Sequence, residues 1–395
     1  MIYCDNAATT KMSRAAIDAM LPYFDTIYAN PSSLHSAGQV AHEGLSEARE
    51  TVADILGADF KEIYFTSGGS EADNQAILSA AAIGERKGKK HIISSAIEHH
   101  AVLHTLDRLR DRGFNITLLD AHEDGIVRID ELEKAIRPDT ALVTVMYANN
   151  EIGTIQPIRE IGCICREKGV IFHTDAVQAV GHIDVDVDRD NIDMLSLSAH
   201  KFHGPKGAGV LYAKKGIPLT NLIEGGAQER GKRAGTENLP AIAGMAAALK
   251  EAAENLDKNI PKITRMRDKL IEHLLEIPHT VLNGDIKNRL PGNINVCFEG
   301  IEGESLLLLL SRAGICASSG SACTSGALDP SHVLLAIGRP HEIAHGSLRL
   351  SLSEANTMDE VEIMATEISK VVEYLRGMSP VWRDLMEGKR SYVIQ

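Results

Sequence analysis

The stretch DMLSLSAHKFHGPKG, residues 193–207, joins an apolar, β-rich run to a short turn rich in glycine. Lys201 lies in that turn between His200 and His203. A lysine is ordinarily a solvated surface charge. At the end of a buried strand, flanked by two histidines, it is instead suited to form a Schiff base with a carbonyl compound. The sequence therefore predicts a strand that ends near Ser198, followed by a helix-free turn that presents Lys201 at the edge of a sheet.

Apolar runs alternate with amphipathic segments around this stretch. EIYFT (62–66) is followed by a helical pattern over 70–82, and HIISS (91–95) by one over 99–112. The runs NITLLD, ALVTVMY and GVIFHT then precede DMLSLS. This alternation is typical of βαβ units and a largely parallel sheet, and runs that are apolar throughout fit strands covered on both faces. The predicted fold class is α/β.

The pattern changes near residue 258. A helix over 262–276, the strand NINVCF, the helix GESLLLLLSRAG, the strand SLRLSLS and a final helix indicate a smaller α/β unit. We therefore predict a large domain (15–257) and a small C-terminal domain (258–395), with an N-terminal segment (1–14) that packs with the small domain. The last residues, EGKRSYVIQ, are expected to form a loose tail.

Composition and charge argue against several classes of protein. The chain has 395 residues, with 41 Lys+Arg against 54 Asp+Glu and a formal net charge of −13, whereas nucleic acids and anionic membranes select basic surfaces. The run LLLLL (306–310) is too short to span a bilayer, and the first residues do not resemble a signal peptide. Six irregularly spaced cysteines suggest no disulfide framework, and the histidines show no metal-binding pattern. We expect a cytoplasmic protein without a metal site.

Polar residues follow the predicted strands, where ligands gather in open α/β sheets. Residues 67–71, SGGSE, follow EIYFT and open a helix; this is either a phosphate seat or an ordinary capped turn. Asp175 and Gln178 follow GVIFHT, and the acid could be a metal ligand, a base or the partner of a ring cation. Pyridoxal phosphate requires a lysine for its aldehyde, a carboxylate for its pyridinium nitrogen and an anion seat. The chain offers all three at strand ends.

A single thiol stands out in SSGSACTSG, residues 318–326. The Ser, Ala, Thr and Gly residues around Cys323 cannot build a core, so the thiol is expected to face solvent or a cleft, where it is a candidate nucleophile. The same composition predicts a mobile loop over 317–331. No neighbouring cation is present to lower the pKa of the thiol, so its activation must come from the cofactor site.

Taken together, these motifs resemble those of cysteine desulfurases of the NifS/IscS type, in the class V branch of the fold-type I pyridoxal-phosphate enzymes. The resemblance runs from YCDNAATT to SLRLSLS and is most specific in SAHKFHGPKG and SSGSACTSG, with support from ANNEIGTIQP, HTDAVQAVG and RAGTEN. It implies a transferase with a large, mostly parallel sheet domain and a small C-terminal α/β domain. The implied reaction converts L-cysteine to L-alanine and leaves a persulfide on Cys323 for iron–sulfur cluster assembly or another sulfur acceptor.

The resemblance also implies the roles of individual residues around the cofactor ring. Lys201 would hold the cofactor and remove the substrate's Cα proton. Asp175 would pair with the pyridine nitrogen, and Gln178 with the phenolic oxygen. His99 would stack on the ring and move protons, whereas its neighbour His100 is expected at the surface.

Further roles concern the phosphate and the substrate. Thr236 in RAGTEN would reach the phosphate of a second subunit, which implies a homodimer, and Asn150 would lie near substrate and cofactor. Arg349 would bind the substrate carboxylate; it shares the polar face of strand SLRLSLS with two serines, while the leucines take the other face. The residues expected at the phosphate are Gly69, Ser70, Ser198 and His200, with Ser70 standing where the family commonly has Thr.

Three alternatives stay open at this point. A selenocysteine lyase would carry much the same residues. Another class V aminotransferase-like enzyme would share Lys201 and Asp175 but would not need Cys323. A regulator that only binds pyridoxal phosphate would need neither Cys323 nor Arg349. The sequence does not identify the sulfur acceptor, which could be an iron–sulfur scaffold or a tRNA-thiolation protein.

Overall fold

The computed structural model describes residues 1–319 and 330–394. Within these ranges the strands are β1 (Ile2–Tyr3), β2 (Ile63–Thr66), β3 (His91–Ser95), β4 (Asn115–Leu119), β5 (Thr140–Thr144), β6 (Ile171–Asp175), β7 (Met194–Ser198), β8 (Gly209–Ala213), β9 (Thr280–Leu282), β10 (Asn293–Phe298), β11 (Ile315–Cys316) and β12 (Ser347–Ser351). The helices are α1 (Arg14–Met20), α2 (Pro22–Asp25), α3 (Ser36–Leu56), α4 (Gly69–Arg86), α5 (His100–Asp111), α6 (Ile129–Ala135), α7 (Ile158–Lys168), α8 (Gln228–Gly231), α9 (Leu239–Glu254), α10 (Leu256–Leu275), α11 (Gly303–Arg312), α12 (His332–Ala336), α13 (His341–Ala344), α14 (Met358–Met378) and α15 (Pro380–Met386).

The main sheet has the strand order β2-β8-β7-β6-β5-β3-β4. The strands from β7 through β6, β5 and β3 to β4 are parallel, and β8 runs antiparallel to both of its neighbours. The predicted largely parallel α/β sheet is therefore confirmed. Because β5, β6 and β7 are parallel neighbours, their carboxyl ends meet at one edge, and the residues that follow them come together there.

Helices cover both faces of this sheet, which explains why its strands are apolar throughout. Leu195 and Leu197 of β7 join a core with α3 and α9, whereas Met194 joins a second core with α4 and α5. Every residue of β7 is buried. Successive strand residues point to opposite faces, so each strand serves two cores. Across the described ranges, no helix is long and apolar enough to cross a membrane.

A tight turn places the start of α4 beside the end of β7. Gly68 precedes the helix with φ +153°, a conformation that only glycine adopts readily. A Cβ added to Gly209 of β8 would lie 2.6 Å from the Gly68 Cα. The glycines therefore let the chain pass close to β8 and bring the first N–H groups of α4 to the edge where Ser198 ends β7.

A second sheet, β12-β10-β9, is antiparallel. It packs with α10, α11 and α14 around a core that also contains Ile2 and Cys4. The N-terminal segment reaches this core because β1 pairs in parallel with β11, and Asp5 bridges to Ser351 of β12. These contacts agree with the association expected for residues 1–14, while the division of the chain at residue 258 stays a prediction.

The chain end is docked, so the expectation of a loose tail is wrong. The Tyr392 ring stacks on His279 with 3.8 Å between ring centroids. The carboxylate of Glu299 accepts hydrogen bonds from the backbone N–H groups of Val393 and Ile394, at 2.8 and 2.9 Å. One buried acid thus pairs the two backbone donors, and Ile394 fills an apolar cluster with α12 and α13.

Candidate active site

One cavity at the carboxyl edge of the main sheet gathers the predicted site residues. Its volume is about 390 Å³. It lies where β5, β6 and β7 end, next to the start of α4 and opposite β12. The predicted residues that line it are Gly69, Ser70, His99, Asn150, Asp175, Gln178, Ser198, His200, Lys201 and Arg349.

Lys201 projects into this cavity from a single turn of 3₁₀-helix, Ala199–Lys201, directly after β7. The predicted helix-free turn is therefore wrong in detail, because the backbone makes one tight helical turn before Phe202. The Lys201 Nζ donates hydrogen bonds to the carbonyl oxygens of Ala7 and Ala8, at 2.7 and 2.8 Å. These carbonyls come from the N-terminal segment. They hold the amine at the cavity, where it can reach a bound aldehyde or a substrate proton.

Asp175 ends β6 and stands within a buried group of acids and histidine. One of its carboxylate oxygens accepts from the Val177 N–H at 2.9 Å. Ligand atoms of Asp73, His99 and Asp175 all lie within 4.8 Å of one another. Burial raises the pKa of Asp175, while the charges of His99 and Lys201 act in the opposite direction. A buried carboxylate in this position can balance a ring cation.

Asp73 adds a second acid that the sequence did not single out. Burial and the charge of Asp175 raise its pKa well above the usual range, since two like charges this close cannot both ionise easily. His173 lies 3.7 Å away, and burial lowers its pKa to about 3. Asp73 is thus favoured in its neutral form.

His99 caps the start of α5, where its Nδ1 accepts from the Ala101 N–H at 3.1 Å. In the neutral ring this hydrogen bond places the proton on Nε2. His100 also lines the cavity, so its expected surface position is wrong. Its ring lies 5.0 Å from that of His104 and 4.7 Å from that of His332. His332 is far away in sequence and closes over His100 only in the folded chain.

An anion seat is built from the start of α4 and the end of β7. The first N–H groups of α4 belong to Gly69 and Ser70, and a helix N-terminus carries free donors and a positive dipole end. A Cβ on Gly69 would lie 2.5 Å from a Val177 methyl group, so only glycine fits. Ser198 adds a hydroxyl. Burial, with help from the charges of Lys201 and Lys206, lowers the pKa of His200 to about 4, so His200 serves as a neutral hydrogen-bonding group.

Arg349 occupies the opposite wall, in the middle of β12, and its side chain is 2% exposed. Its Nη1 donates to the Asn150 carbonyl at 3.2 Å, and its Nη2 to Asp5 at 3.0 Å. Among the described residues, nothing accepts a hydrogen bond from its Nε. The guanidinium therefore keeps donor capacity for a carboxylate.

Two more buried acids were missed by the sequence analysis. Glu98 accepts from the Ser95 hydroxyl at 2.5 Å and from the Met146 N–H at 2.9 Å, and burial raises its pKa to about 8. Glu151 lines the cavity, accepts from the Ser331 hydroxyl, and has its pKa raised by burial to about 7. A signal was present in the sequence: Glu98 directly precedes His99, and Glu151 directly follows Asn150 inside ANNEIGTIQP.

The segment that carries Cys323 is attached to this site at both ends. Cys323 itself and residues 320–329 of the predicted loop lie outside the described residues. On one side, Ser318 and Arg349 exchange two backbone hydrogen bonds, at 3.1 and 2.7 Å. On the other side, Ser331 caps α12 and donates to Glu151. Both anchors therefore lie beside the guanidinium.

Thr236 does not line the cavity of its own chain. It is exposed, as are its neighbours Gly235 and Asn238. The exposed large apolar residues of the 21–40 stretch are Leu21, Phe24, Tyr28, Leu34 and Val40.

Comparisons with known proteins agree on one family. The family model for class-V aminotransferases matches residues 2–364. A protein of Methanosarcina thermophila named cysteine desulfurase IscS is 53% identical over 380 residues, which cover 96% of this chain and 94% of that protein. A protein of Clostridium botulinum with the same name is 51% identical over 393 residues, 99% of each chain. A solved NifS-like protein superposes with a TM-score of 0.89 at 38% identity, over 95% of this chain and all of the other.

Proposed function

The chain belongs to the class-V aminotransferase family, and on that footing we propose that it is a cysteine desulfurase dependent on pyridoxal phosphate. The observation that carries the proposal is the single cavity that brings together Lys201, Asp175, the start of α4 and Arg349. The substrate is L-cysteine, in keeping with the name cysteine desulfurase that the relatives carry, and the persulfide sulfur passes to iron–sulfur cluster assembly or to another sulfur acceptor.

The described residues fit pyridoxal phosphate on chemical grounds. Lys201 offers an amine to the aldehyde, Asp175 a buried carboxylate to the ring nitrogen, and the start of α4 an anion seat to the phosphate. Gln178 donates one amide hydrogen to the Ala7 carbonyl at 3.0 Å and keeps a second for the phenolic oxygen. The remaining residues proposed to hold the cofactor are Gly69, Ser70, His99, Asn150, Ser198, His200 and Thr236.

Once bound, the cofactor supplies an electron sink that lowers the cost of the charge left on the substrate when its Cα proton departs. Asp175 supports that role by keeping a negative charge beside the ring nitrogen. The Lys201 Nζ takes the proton from Cα, since the carbonyls of Ala7 and Ala8 hold it at the cavity. His99, with its Nδ1 fixed by the Ala101 N–H, offers Nε2 for a second proton transfer. Arg349 orients the substrate through its carboxylate.

Sulfur leaves the substrate by attack of the Cys323 thiolate on Sγ of cysteine. A sulfur–sulfur bond forms, the Cβ–Sγ bond breaks, and its electron pair stays on carbon, which takes up a proton. L-cysteine and the Cys323 thiol thus give L-alanine and a Cys323 persulfide, with no outside oxidant or reductant. This assignment rests on the sequence around Cys323, whose two anchors at Ser318 and Ser331 lie beside the substrate subsite.

A homodimer with shared active sites accounts for two surface features. Thr236 is exposed and away from the cavity of its own chain, in a motif expected at a phosphate. The 21–40 stretch exposes Phe24 by 64%, Tyr28 by 80% and Leu34 by 93%, and such clustered apolar exposure marks association surfaces.

We place the protein in the cytoplasm, because a persulfide and the unpaired cysteines of the described residues need a reducing compartment.

The decisive experiment incubates the purified protein with L-cysteine, with and without added pyridoxal phosphate, and measures alanine and sulfide in the presence of a thiol. Equal amounts of the two products, formed only with the cofactor, are expected. A parallel reaction with L-selenocysteine identifies a selenocysteine lyase if that substrate alone reacts. Transfer of an amino group to a keto acid without sulfide would refute the proposal and favour an aminotransferase.

A further inference from the structure

The N-terminal segment contributes directly to the candidate site, although it had been assigned only a packing role. β1 pairs with β11, and the chain then bridges from Asp5 to Ser351. Beyond that bridge, Ala7 and Ala8 hold the Lys201 amine through their carbonyls. Asp5 is the acidic side chain of this segment and forms an ion pair with Arg349 at the other wall of the cavity.

The Arg349 guanidinium has five N–H donors, and its three nitrogens differ in the acceptors they meet. Asp5 accepts from Nη2 at 3.0 Å, the Asn150 carbonyl accepts from Nη1 at 3.2 Å, and nothing in the described ranges accepts from Nε. The guanidinium is 2% exposed, whereas the Asp5 side chain is 21% exposed. A buried cation without a counter-charge is strongly disfavoured. Asp5 therefore balances the charge of Arg349 before any substrate arrives.

We propose that Asp5 is the resident counter-ion of Arg349 and lowers the affinity of the carboxylate subsite, so that free anions do not occupy it. This inference rests on the proposed function, because it takes the ligand of Arg349 to be the substrate carboxylate. A carboxylate that binds the guanidinium approaches the negative charge of Asp5, so it gains less than it would from an uncompensated guanidinium.

Asp5 weakens the interaction of Arg349 with every carboxylate, and the two kinds of ligand differ in what else binds them. An amino acid is also bound at its amine by the Lys201 and cofactor side of the cavity, so its carboxylate meets Arg349 at a high effective concentration. That contribution offsets the repulsion from Asp5. A monocarboxylate without an amine has no second attachment to offset the same repulsion. Asp5 thus excludes the abundant small anions that a buried arginine would otherwise collect.

The test compares L-alanine with propionate, which is alanine without its amine, as inhibitors of the holoenzyme with L-cysteine as substrate. In the wild type, L-alanine is expected to compete and propionate to compete weakly. In Asp5→Asn, which keeps an acceptor oxygen but removes the charge, the inhibition constant of propionate is expected to fall at least tenfold. Propionate should raise the apparent KM for L-cysteine and leave kcat unchanged. Asp5→Glu keeps the charge and is expected to retain the wild-type inhibition constant of propionate.

The controls separate a charge effect at Arg349 from a general one. Asp59→Asn removes an exposed acid that caps a distant turn and is expected to leave propionate inhibition unchanged. Propionate should raise the melting temperature of the Asp5→Asn holoenzyme, and this shift should vanish when Arg349→Gln is added. An inhibition constant for propionate that is the same in wild type and Asp5→Asn would overturn the inference.

Folding defects do not remove the test. If Asp5→Asn does not fold, Asp5→Ser replaces it: the inhibition constant of propionate is again expected to fall at least tenfold, and an unchanged constant overturns the inference. Failure of the proposed function looks different, since the wild type would then form no alanine or sulfide from L-cysteine. The propionate-dependent melting shift of Asp5→Asn, lost with Arg349→Gln, does not require turnover.

Discussion

Replacing Glu98 by glutamine should change the pH dependence of stability in a defined way. Glu98 is fully buried, and the oxygen that faces Ser95 and Met146 accepts two hydrogen bonds. Burial raises its pKa to about 8. An amide oxygen in Glu98→Gln can keep both hydrogen bonds, but the side chain can no longer ionise. The variant therefore isolates the cost of a buried negative charge.

The size of the effect follows from proton linkage. An unfolded glutamate has a pKa of about 4.3, and each pH unit between that value and the folded pKa is worth about 1.4 kcal/mol. Because the folded pKa of about 8 is the higher one, the neutral acid stabilises the fold fully below about pH 4.3. That contribution is lost as the pH rises to 8. From pH 4.3 to pH 8 the wild type should lose roughly 4–5 kcal/mol relative to Glu98→Gln.

Urea unfolding of both apoproteins, followed by circular dichroism from pH 4.5 to pH 8.5, measures this difference. The new NH2 group takes the place of Glu98 Oε2, which has no hydrogen-bond partner among the described residues, so its buried N–H donors lack acceptors, which costs about 1–3 kcal/mol at every pH. The test is therefore how the difference in the free energy of unfolding between the two proteins changes with pH. Parallel stability curves would show that Glu98 is already ionised in the folded protein near pH 5, and that its carboxylate has partners beyond Ser95 and Met146.

The other predictions concern the reaction. Lys201→Ala should lose the absorbance of the bound cofactor and all desulfuration; normal turnover would refute the assigned role. Arg349→Ala should keep the cofactor but raise KM for L-cysteine about 10- to 150-fold, the equivalent of about 1.5–3 kcal/mol for a charge-assisted contact; an unchanged KM would assign the carboxylate to another residue. Cys323→Ser should bind cofactor and L-cysteine yet release no sulfide. Mass spectrometry of the wild type after a cysteine pulse should find the added sulfur on Cys323 and not on the exposed Cys163. Mixing Lys201→Ala and Thr236→Ala chains should restore activity above either parent, because a shared site built from their unaltered residues is intact in the hybrid; no restoration would place Thr236 in the site of its own chain.

Much of the fold was predictable where a short run of the sequence has a clear strand or helix pattern. HIISS and NINVCF match β3 and β10 to the residue. The helix expected from residue 262 in fact begins at Leu256. Pro261 lies near the start of this helix, where its missing N–H removes only one early hydrogen bond.

In the site too, residues that a local sequence pattern marks were predicted, and contacts between residues distant in the sequence were missed. Asp175, Lys201 and the start of α4 were predictable because each lies at the end of a strand or within a few residues of it, and neighbouring parallel strands end together. The contributions of Ala7 and Ala8 were not, because they are made by backbone carbonyls, which leave no mark in the sequence. His100 was misplaced for a related reason. Its partner His332 is distant in the sequence, so the contact between the two rings leaves no local pattern.

The two anchors of the Cys323 segment have a consequence for how such enzymes can diversify. Ser318 is fixed to the backbone of Arg349, and Ser331 to the side chain of Glu151, so a substitution at either anchor acts on the candidate site as well as on the segment between them. Doubling the length of a flexible connection costs only about 0.6 kcal/mol in closure entropy. Sequence changes that adapt sulfur delivery to a new recipient are therefore expected between the two anchors and not at them.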